Sequence, residues 1–397
     1  MANVHGEKKD NRWIVKVAGD VDSTNASIVE KQIFDLIGSD KSLPVTLDFD
    51  SLDYISSAGL RVLLRLKKEA SDLLIDNVNK DVYDILEMTS FTSILTVKKK
   101  LREISIEGCP LIGQGGNGKV YRLTSDEIVK VFRPNVSLDL IQEEHFASRE
   151  AFLLGVPCAI TFDDVRCGDS YGTVYEMINA ATLSEEISKN PDKIPELAKK
   201  SAELLKKLHS IELEEGRMGD AHHVFYAPLS IIAPLFTEEE IEKMRRIGDL
   251  IPHKNRFVHN DYHCKNIMVS NGEFMLIDMG GAGRGNPIID IIHCYMCYKL
   301  IGTGTSNADL EKVSFLGIKY RHQYEFWDAF VLAYYDNDEA KVKQIEKMVE
   351  PFALLVYFST ALTSPLLPEY ARPIYVNNIR EKVLAHYDEI MKTKFED

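Results

Sequence analysis

The chain has 397 residues, and its length and composition already restrict the classes to which it can belong. Hydrophobic residues make up 45% and charged residues 27%, which is typical of a globular protein with a sizeable core and excludes a disordered or collagen-like chain. No apolar run approaches the ~18 residues that a membrane-spanning helix needs. At about 150 residues per domain, the length favours two or three domains.

The net charge limits the classes of binding partner, and the cysteine content indicates the cellular compartment. The chain has 61 acidic and 47 basic residues, a formal net charge of -14, which disfavours binding to nucleic acid or to an anionic membrane. The first ten residues lack the apolar stretch of a signal peptide, and six cysteines are too few for a disulfide scaffold. We therefore expect a cytoplasmic protein without nucleic-acid or membrane partners.

The first hundred residues alternate predicted strands and helices. Strands are predicted at 13–17, at 45–49 from strict alternation of apolar and polar residues, and at 73–75. Helices are predicted from apolar residues at helical spacing after residue 24, after Gly59 and over 81–88. This pattern predicts an α/β domain over residues 1–97, a sheet with packed helices, and the basic run 98–100 marks its boundary.

The segment Leu52-Asp53-Tyr54-Ile55-Ser56-Ser57-Ala58-Gly59-Leu60 resembles the STAS domain of anti-sigma-factor antagonists, and the likeness spans roughly residues 10–97. This resemblance implies a domain that binds a protein partner. The family's phosphorylated serine corresponds to Ala58, which has no hydroxyl, although Ser57 is retained. Ser56 and Ser57 also fit helix N-capping, which needs only a side-chain oxygen at the first turn, and we favour capping over phosphorylation.

A glycine-rich segment follows, with Gly113, Gly115 and Gly118 in the pattern G-x-G-x-x-G-x-V. A Walker A loop would need Ser or Thr where Val120 stands. A dinucleotide-binding loop would continue into a helix, whereas residues 119–123 alternate like a strand. The segment therefore fits the glycine-rich loop that covers the phosphates of ATP in kinases.

Lys130 stands in the middle of an apolar strand predicted over residues 128–132. A buried ammonium group needs a partner or a ligand, because an unpaired charge is costly away from water. In the kinase pattern a helix carboxylate pairs with this lysine, which also contacts the ATP phosphates. We predict Glu150 as that carboxylate, with Glu143 and Glu144 as alternatives.

The strongest motif begins at His259 and reads H-x-D-x-x-x-x-N through Asp261 to Asn266. Two apolar runs then flank Asn271-Gly272, a strong hairpin signal, so Asn266 should lie opposite Ile277, one residue before Asp278. An amide oxygen and a carboxylate at the same end of a hairpin suit Mg²⁺. Asp261 is predicted there as the group that accepts the acceptor's hydroxyl proton. Asp278-Met279-Gly280 matches the D-x-G of kinases.

From about residue 100 to the end, the chain resembles the aminoglycoside phosphotransferase and choline kinase branch of the protein-kinase-like superfamily. The likeness rests first on residues 258–267, where His263 stands at the position of the branch's second histidine. It rests also on the short segment between Asp278 and Asp290, which are only twelve residues apart and have no A-P-E motif of protein kinases between them. It implies a small hydroxylated acceptor and an inter-lobe hinge at 174–178, where backbone groups of Glu176 and Ile178 would hold adenine. An ordinary buried strand fits the same five residues equally well. Asp290 is predicted to cap the following helix.

The expected fold is an α/β STAS domain followed by an α+β bilobal kinase-like domain, with a β-rich N-lobe over 98–180 and a mostly helical C-lobe over 181–397. The expected activity is transfer of the ATP γ-phosphate, with Mg²⁺, to a hydroxyl of a small molecule. Two alternatives remain: a nucleotide-sensing regulatory fusion with little turnover, and a protein kinase acting on an anti-sigma-type partner.

Overall fold

The computed structural model describes residues 2–9, 11–38, 43–70, 72–116, 118–302, 309–364 and 367–395. The chain divides into two compact units, residues 1–104 and 105–397. The boundary predicted after residue 97 falls inside a strand, Thr96–Lys99, which pairs with the sheet of the first unit and so carries that unit past the basic run. In the described ranges, no helix has the length and apolarity needed to cross a bilayer.

The first unit is an α/β domain, as predicted. Its elements are β1 (Asn3–Lys9), β2 (Arg12–Val21), α1 (Ala26–Ile37), β3 (Val45–Asp48), β4 (Leu52–Ile55), α2 (Ser57–Glu69), β5 (Leu73–Val78), α3 (Lys80–Met88), β6 (Thr96–Lys99) and the two-residue strand β7 (Arg102–Glu103). The sheet runs β1-β2-β3-β5-β6, with β4 pairing with β2. β1 and β2 form an antiparallel hairpin, and the other pairs are parallel.

Helices α1 and α2 form because their apolar residues recur at helical spacing, and these residues are the ones buried in the core. The α2 helix begins where the STAS-like motif lies. The Ser56 side chain accepts a hydrogen bond from the backbone N–H of Gly59 at 3.4 Å, and Ser57 is the first helical residue. The capping interpretation of Ser56 is therefore confirmed.

The second unit begins with an antiparallel sheet. Its elements are β8 (Leu111–Gln114), β9 (Gly118–Arg122), β10 (Glu127–Phe132), α4 (Leu138–Leu153), β11 (Thr161–Cys167) and β12 (Ser170–Glu176). These strands are ordered β11-β12-β10-β9-β8, so that β10 is central. The side chain of Ser137 caps α4 by accepting from the backbone N–H of Leu140.

The rest of the second unit is mostly helical. Its elements are β13 (Ala181–Thr182), α5 (Leu183–Lys189), α6 (Ile194–Ser210), α7 (His223–Ile232), α8 (Glu238–Gly248), β14 (Arg256–Val258), β15 (Ile267–Ser270), β16 (Glu273–Leu276), β17 (Gly283–Gly285), α9 (Ile288–Tyr295), α10 (Tyr320–Tyr334), α11 (Glu339–Thr363), α12 (Arg372–Lys382) and α13 (Tyr387–Ile390). The strands form two small sheets, β13-β15-β16 and β14-β17. A β-rich part followed by a helical part is the predicted α+β arrangement.

Candidate active site

The glycine-rich segment closes a hairpin between β8 and β9. The backbone N–H of Gly115 donates to the carbonyl oxygen of Gly118 at 2.9 Å, and Gly113 lies in β8. A side chain at Gly118 would collide with the carbonyl oxygen of Val131 in β10, so this position requires glycine. The strand predicted after the glycines is confirmed. Asn117, the fifth residue of the segment, lies outside the described residues.

Lys130 lies in the central strand β10 and contacts two carboxylates. Its Nζ donates to Glu144 Oε1 at 2.6 Å and to Asp278 Oδ1 at 3.0 Å. The lysine side chain is only 14% exposed. Burial opposes its charge, but the carboxylates of Asp278 and Glu144 raise the pKa of Lys130 above its ordinary value. The buried ammonium is therefore held as a cation between α4 and the D-x-G segment.

The two carboxylates differ in environment. Asp278 is 43% exposed, and although burial opposes its ionisation, the charge of Lys130 lowers the pKa of Asp278. Glu144 is 9% exposed, and burial raises its pKa against the effect of Lys130. The hydroxyl of Tyr175 donates to Glu144 Oε1 at 3.1 Å. A Cβ atom on Gly280 would lie 3.0 Å from Glu144 Oε2, so a larger residue there would crowd this carboxylate. Asp278 is thus the accessible anion.

The pairing predicted for Glu150 is wrong. Glu150 Oε2 accepts a hydrogen bond from Arg217 Nε at 3.0 Å, while Glu144, one of the two alternatives, contacts Lys130. The helix explains the difference, because the buried stripe of α4 includes Glu144, Ser148 and Ala151 at helical spacing, and Glu150 lies off that stripe. Glu144 is the only carboxylate among the buried residues of α4, and this position is the signal that could have favoured it over Glu150.

The hairpin register predicted around Asn271-Gly272 is confirmed. β15 and β16 pair from Ser270–Glu273 to Ile267–Leu276, and both turn residues have positive φ, 51° and 81°. The backbone N–H of Ile277 donates to the carbonyl oxygen of Asn266 at 3.0 Å. Asn266 and Asp278 therefore lie at the same end of the hairpin, as the sequence predicts.

Asp261 is held by its neighbours on several sides. Asn266 Nδ2 donates to Asp261 Oδ2 at 2.8 Å and to its carbonyl oxygen at 3.0 Å. The Nε2 atoms of His263 and His293 each lie 3.4 Å from Asp261 Oδ1. Burial lowers the pKa of His293. Sequence reasoning missed His293, and its signal was a single histidine on an apolar helix three residues after Asp290.

Asp290 fixes the loop that carries Asp261 rather than capping a helix, so the predicted capping role is wrong. Its Oδ2 and Oδ1 accept from the backbone N–H groups of His259 and Asn260 at 2.9 and 2.6 Å. His209 Nε2 lies 3.0 Å from Oδ2. Burial opposes ionisation, but the hydrogen bond from His209 lowers the pKa of Asp290. Before α9, Asn286 Oδ1 accepts from the backbone N–H of Ile288 at 3.1 Å, and no side chain of the described residues caps this helix.

The segment predicted to hold adenine follows β12. Glu176 ends that strand, and its Oε1 accepts from the backbone N–H of Ile160 at 2.8 Å. The carbonyl oxygen of Ile178 accepts from the backbone N–H of Ala180 at 2.9 Å. The side chain of Glu176 thus fixes the strand end, and its backbone N–H donates to the carbonyl oxygen of Ile160 at 3.0 Å.

Comparisons with known families agree with this organisation. A model described as the phosphotransferase enzyme family, APH, matches residues 109–327, and a STAS domain model matches residues 3–104. The protein is therefore of the kinase-like phosphotransferase class, with a STAS domain ahead of its phosphotransferase domain. The chain belongs to the APH phosphotransferase family.

Individual relatives match each part of the chain. BtrV of Bordetella bronchiseptica, named as an anti-sigma factor antagonist, is 34% identical over 95 residues, which is 23% of this chain and 81% of that protein. A crystal structure of aminoglycoside phosphotransferase APH(2'')-Ib with ADP is 16% identical, covers 78% of this chain and 98% of that chain, and has a TM-score of 0.46. Amicoumacin kinase hAmiN, in complex with AMP-PNP, Ca²⁺ and Ami, is 16% identical over 75% of this chain and 93% of that one, with a TM-score of 0.46.

Proposed function

We propose that this protein transfers the γ-phosphate of ATP, with Mg²⁺, to a hydroxyl group of a small molecule. The observation that supports this most directly is that Lys130 is hydrogen-bonded to both Glu144 and Asp278. Asn266 is hydrogen-bonded to Asp261 on the adjoining hairpin. Catalysis of phosphoryl transfer is mostly positioning and charge stabilisation. It requires a lysine paired with a helix carboxylate, an aspartate that can bind a metal ion, and an aspartate that can contact the acceptor hydroxyl.

The nucleotide would lie against the antiparallel sheet. The backbone of the hairpin at Gly113, Gly115 and Gly118 would cover the phosphates, and the Lys130 ammonium would contact them. Backbone groups at Glu176 and Ile178 would hold the adenine ring. The raised pKa of Lys130 supports this role, since a permanently charged ammonium is what an anionic phosphate needs.

The donor set at the hairpin end fits a magnesium ion. Asp278 is ionised and half-exposed, and the hydrogen bonds described for the Asn266 side chain are made by its Nδ2, which leaves Oδ1 as a ligand atom. One or two protein oxygens together with substrate phosphates are the usual environment of Mg²⁺. When bound there, the ion would neutralise charge on the phosphates.

Asp261 would orient the acceptor hydroxyl and take its proton. Asn266 donates to the carboxylate and two imidazole nitrogens lie 3.4 Å from it, so the acceptor hydroxyl would meet a carboxylate that Asn266 already orients. The segment between Asp278 and α9 is short, because α9 begins at Ile288, only ten residues after Asp278. This short segment supports a small acceptor, because it leaves little chain for the platform on which protein kinases dock a protein substrate.

We also propose that the β-rich part of the second unit, up to residue 180, acts as the N-lobe and that residues 181–397 act as the C-lobe with the acceptor pocket. The STAS domain would recruit a protein partner, as the name of its Bordetella relative suggests. We expect the protein to act in the cytoplasm, where its free thiols would stay reduced.

A screen of ATP consumption stimulated by aminoglycosides, choline, amino sugars, homoserine and fructosamines tests the proposal. We expect one class to raise ATP turnover in the wild type and to leave Asp261→Asn inactive, with Mg²⁺–ATP binding retained in that variant by isothermal titration calorimetry. Turnover in Asp261→Asn equal to that of the wild type would refute the assignment of the base. ATP binding with no acceptor-stimulated turnover would favour the regulatory alternative, and radiolabelled protein bands in lysate would favour a protein kinase.

A further inference from the structure

Three metal-type side chains converge away from the catalytic residues. Asp220 and His222 precede α7, and His253 lies between α8 and β14. One candidate ligand atom from each side chain lies within 4.8 Å of the others. His222 is buried, whereas the side chains of Asp220 and His253 are 45% and 64% exposed. The cluster is therefore fixed on one side and open to solvent on the other.

The hydrogen bonds of His222 are compatible with a cation beside Asp220, whose Oδ1 also accepts from the backbone N–H of His222 at 2.9 Å. Its Nε2 lies 3.3 Å from the carbonyl oxygen of Ile251, and its Nδ1 lies 2.9 Å from Asp220 Oδ1. Both oxygens are acceptors, but a neutral imidazole carries only one N–H. If Nε2 donates to Ile251, the lone pair of Nδ1 faces a carboxylate oxygen. A cation shared by Nδ1 and the carboxylate satisfies both atoms.

The separations between the candidate ligand atoms suit one shared ion. His253 Nδ1 lies 3.7 Å from Asp220 Oδ2, and the rings of His222 and His253 stack with centroids 4.1 Å apart. Two atoms that are each about 2.1 Å from the same ion stand roughly 3–4 Å apart at ordinary coordination angles. The Nδ1 atoms of His222 and His253 face Oδ1 and Oδ2 of Asp220, and because the rings stack at an interplanar angle of 29°, the exposed His253 would have to turn for both lone pairs to meet one ion.

The ligand types select the class of metal. Two imidazole nitrogens and one carboxylate oxygen suit Zn²⁺ and related divalent transition metals, whereas Mg²⁺ and Ca²⁺ prefer oxygen ligands alone. The exposed side of the cluster would leave a fourth position for water. The carbonyl of Ile251 would hold the far nitrogen of His222, which is the usual way in which the orientation of a metal-binding imidazole is fixed.

We propose that Asp220, His222 and His253 bind one Zn²⁺ ion, which fastens the segment before α7 beneath the catalytic loop. Ala221 lies between two of the ligands and links them to that loop. Its carbonyl oxygen accepts from Asn260 Nδ2 at 3.4 Å, and its backbone N–H donates to the carbonyl oxygen of Arg284 at 2.9 Å. The site would thus be structural, and it shares no ligand residue with the proposed magnesium site.

Titration of the 397-residue chain with ZnCl₂ in the absence of nucleotide tests this proposal. Calorimetry should show one high-affinity ion per chain, and Co²⁺ in place of Zn²⁺ should give the visible absorption of a nitrogen- and oxygen-coordinated ion. Because His253 is exposed, His253→Ala should fold normally and weaken Zn²⁺ binding by more than about tenfold, since even indirect partners of a metal ligand contribute that much. The exposed His386 gives the matched control, and His386→Ala should bind Zn²⁺ like the wild type.

Two further variants sharpen the result. Asp220→Asn should also weaken binding, and Asp278→Ala, which alters the proposed magnesium site, should leave Zn²⁺ binding unchanged. Zn²⁺ should raise the melting temperature of the wild type but not that of His253→Ala, because an ion that binds only the folded state stabilises it. Absence of a one-to-one Zn²⁺ complex, or binding that His253→Ala leaves intact, would overturn the proposal.

Discussion

Replacement of Glu144 by glutamine should weaken nucleotide binding, and the same replacement at Glu150 should not. The two residues lie on the same helix, so the variants form a matched pair. Glu144→Gln removes the negative charge that contacts Lys130 Nζ at 2.6 Å while keeping the size of the side chain. Glu150→Gln instead weakens an ion pair with Arg217.

The size of the effect follows from burial. The side chains of Lys130 and Glu144 are 14% and 9% exposed, so their hydrogen bond is little screened by water. A charge-assisted hydrogen bond contributes about 1.5–3 kcal/mol, which corresponds to about a 10- to 150-fold loss of ATP affinity. Asp278 still contacts the lysine in this variant, which favours the lower end of the range. The Arg217 side chain is 36% exposed, so the Glu150 pair is worth less than about 1 kcal/mol.

Isothermal titration calorimetry with Mg²⁺ and a non-hydrolysable ATP analogue measures both variants without knowledge of the acceptor. Circular dichroism first establishes that each variant is folded. The reasoning would be refuted if Glu150→Gln lost affinity while Glu144→Gln kept it. Equal affinities in both variants would show that Lys130 is positioned by Asp278 alone.

Two further predictions concern stability. Arg380 lowers the pKa of Glu240 to about 2, below its ordinary value of 4.5, so the contribution of this pair is complete above about pH 4.5 and is lost as the pH falls toward 2. Because the Arg380 side chain is 42% exposed, Glu240→Gln should lower the free energy of unfolding, measured in urea, by only about 1 kcal/mol at pH 7. The loss should be smaller at pH 3. Glu239→Gln, which changes an exposed neighbour, is the control. Asp290→Asn should lower the free energy of unfolding by about 3–5 kcal/mol at pH 7, because its Nδ2 cannot accept from a backbone N–H and the buried contact with His209 loses its carboxylate. An unchanged urea midpoint in Asp290→Asn would show that the loop does not depend on this carboxylate.

Local signals in the sequence were sufficient to predict the hairpin that carries the site. The dipeptide Asn271-Gly272 requires positive φ at both residues, and this requirement fixes the pairing of the flanking strands. The placement of Asn266 beside Asp278 follows from counting residues outward from the turn. The α/β and α+β classes were predictable for a similar reason, since they depend on periodicity along short segments.

Contacts between distant segments were not predictable in the same way. The choice between Glu144 and Glu150 depends on which face of α4 meets the sheet, and spacing from the motif alone does not determine that face. Asp290 occupies the first turn of a helix, where capping is the common role, yet its partners come from a loop about thirty residues earlier. The position of His293 beside Asp261 likewise depends on how α9 packs against that loop.

The carboxylate of Asp290 has a consequence for the energetics of ligand binding. It restrains the loop from beneath before any substrate arrives, so the ordering entropy of that loop is lost during folding rather than during binding. The backbone amide protons of His259 and Asn260 should accordingly exchange with solvent only at the rate of global unfolding, with or without nucleotide. The loop is therefore preorganised, and changes in exchange on adding ATP should concentrate in the glycine hairpin instead.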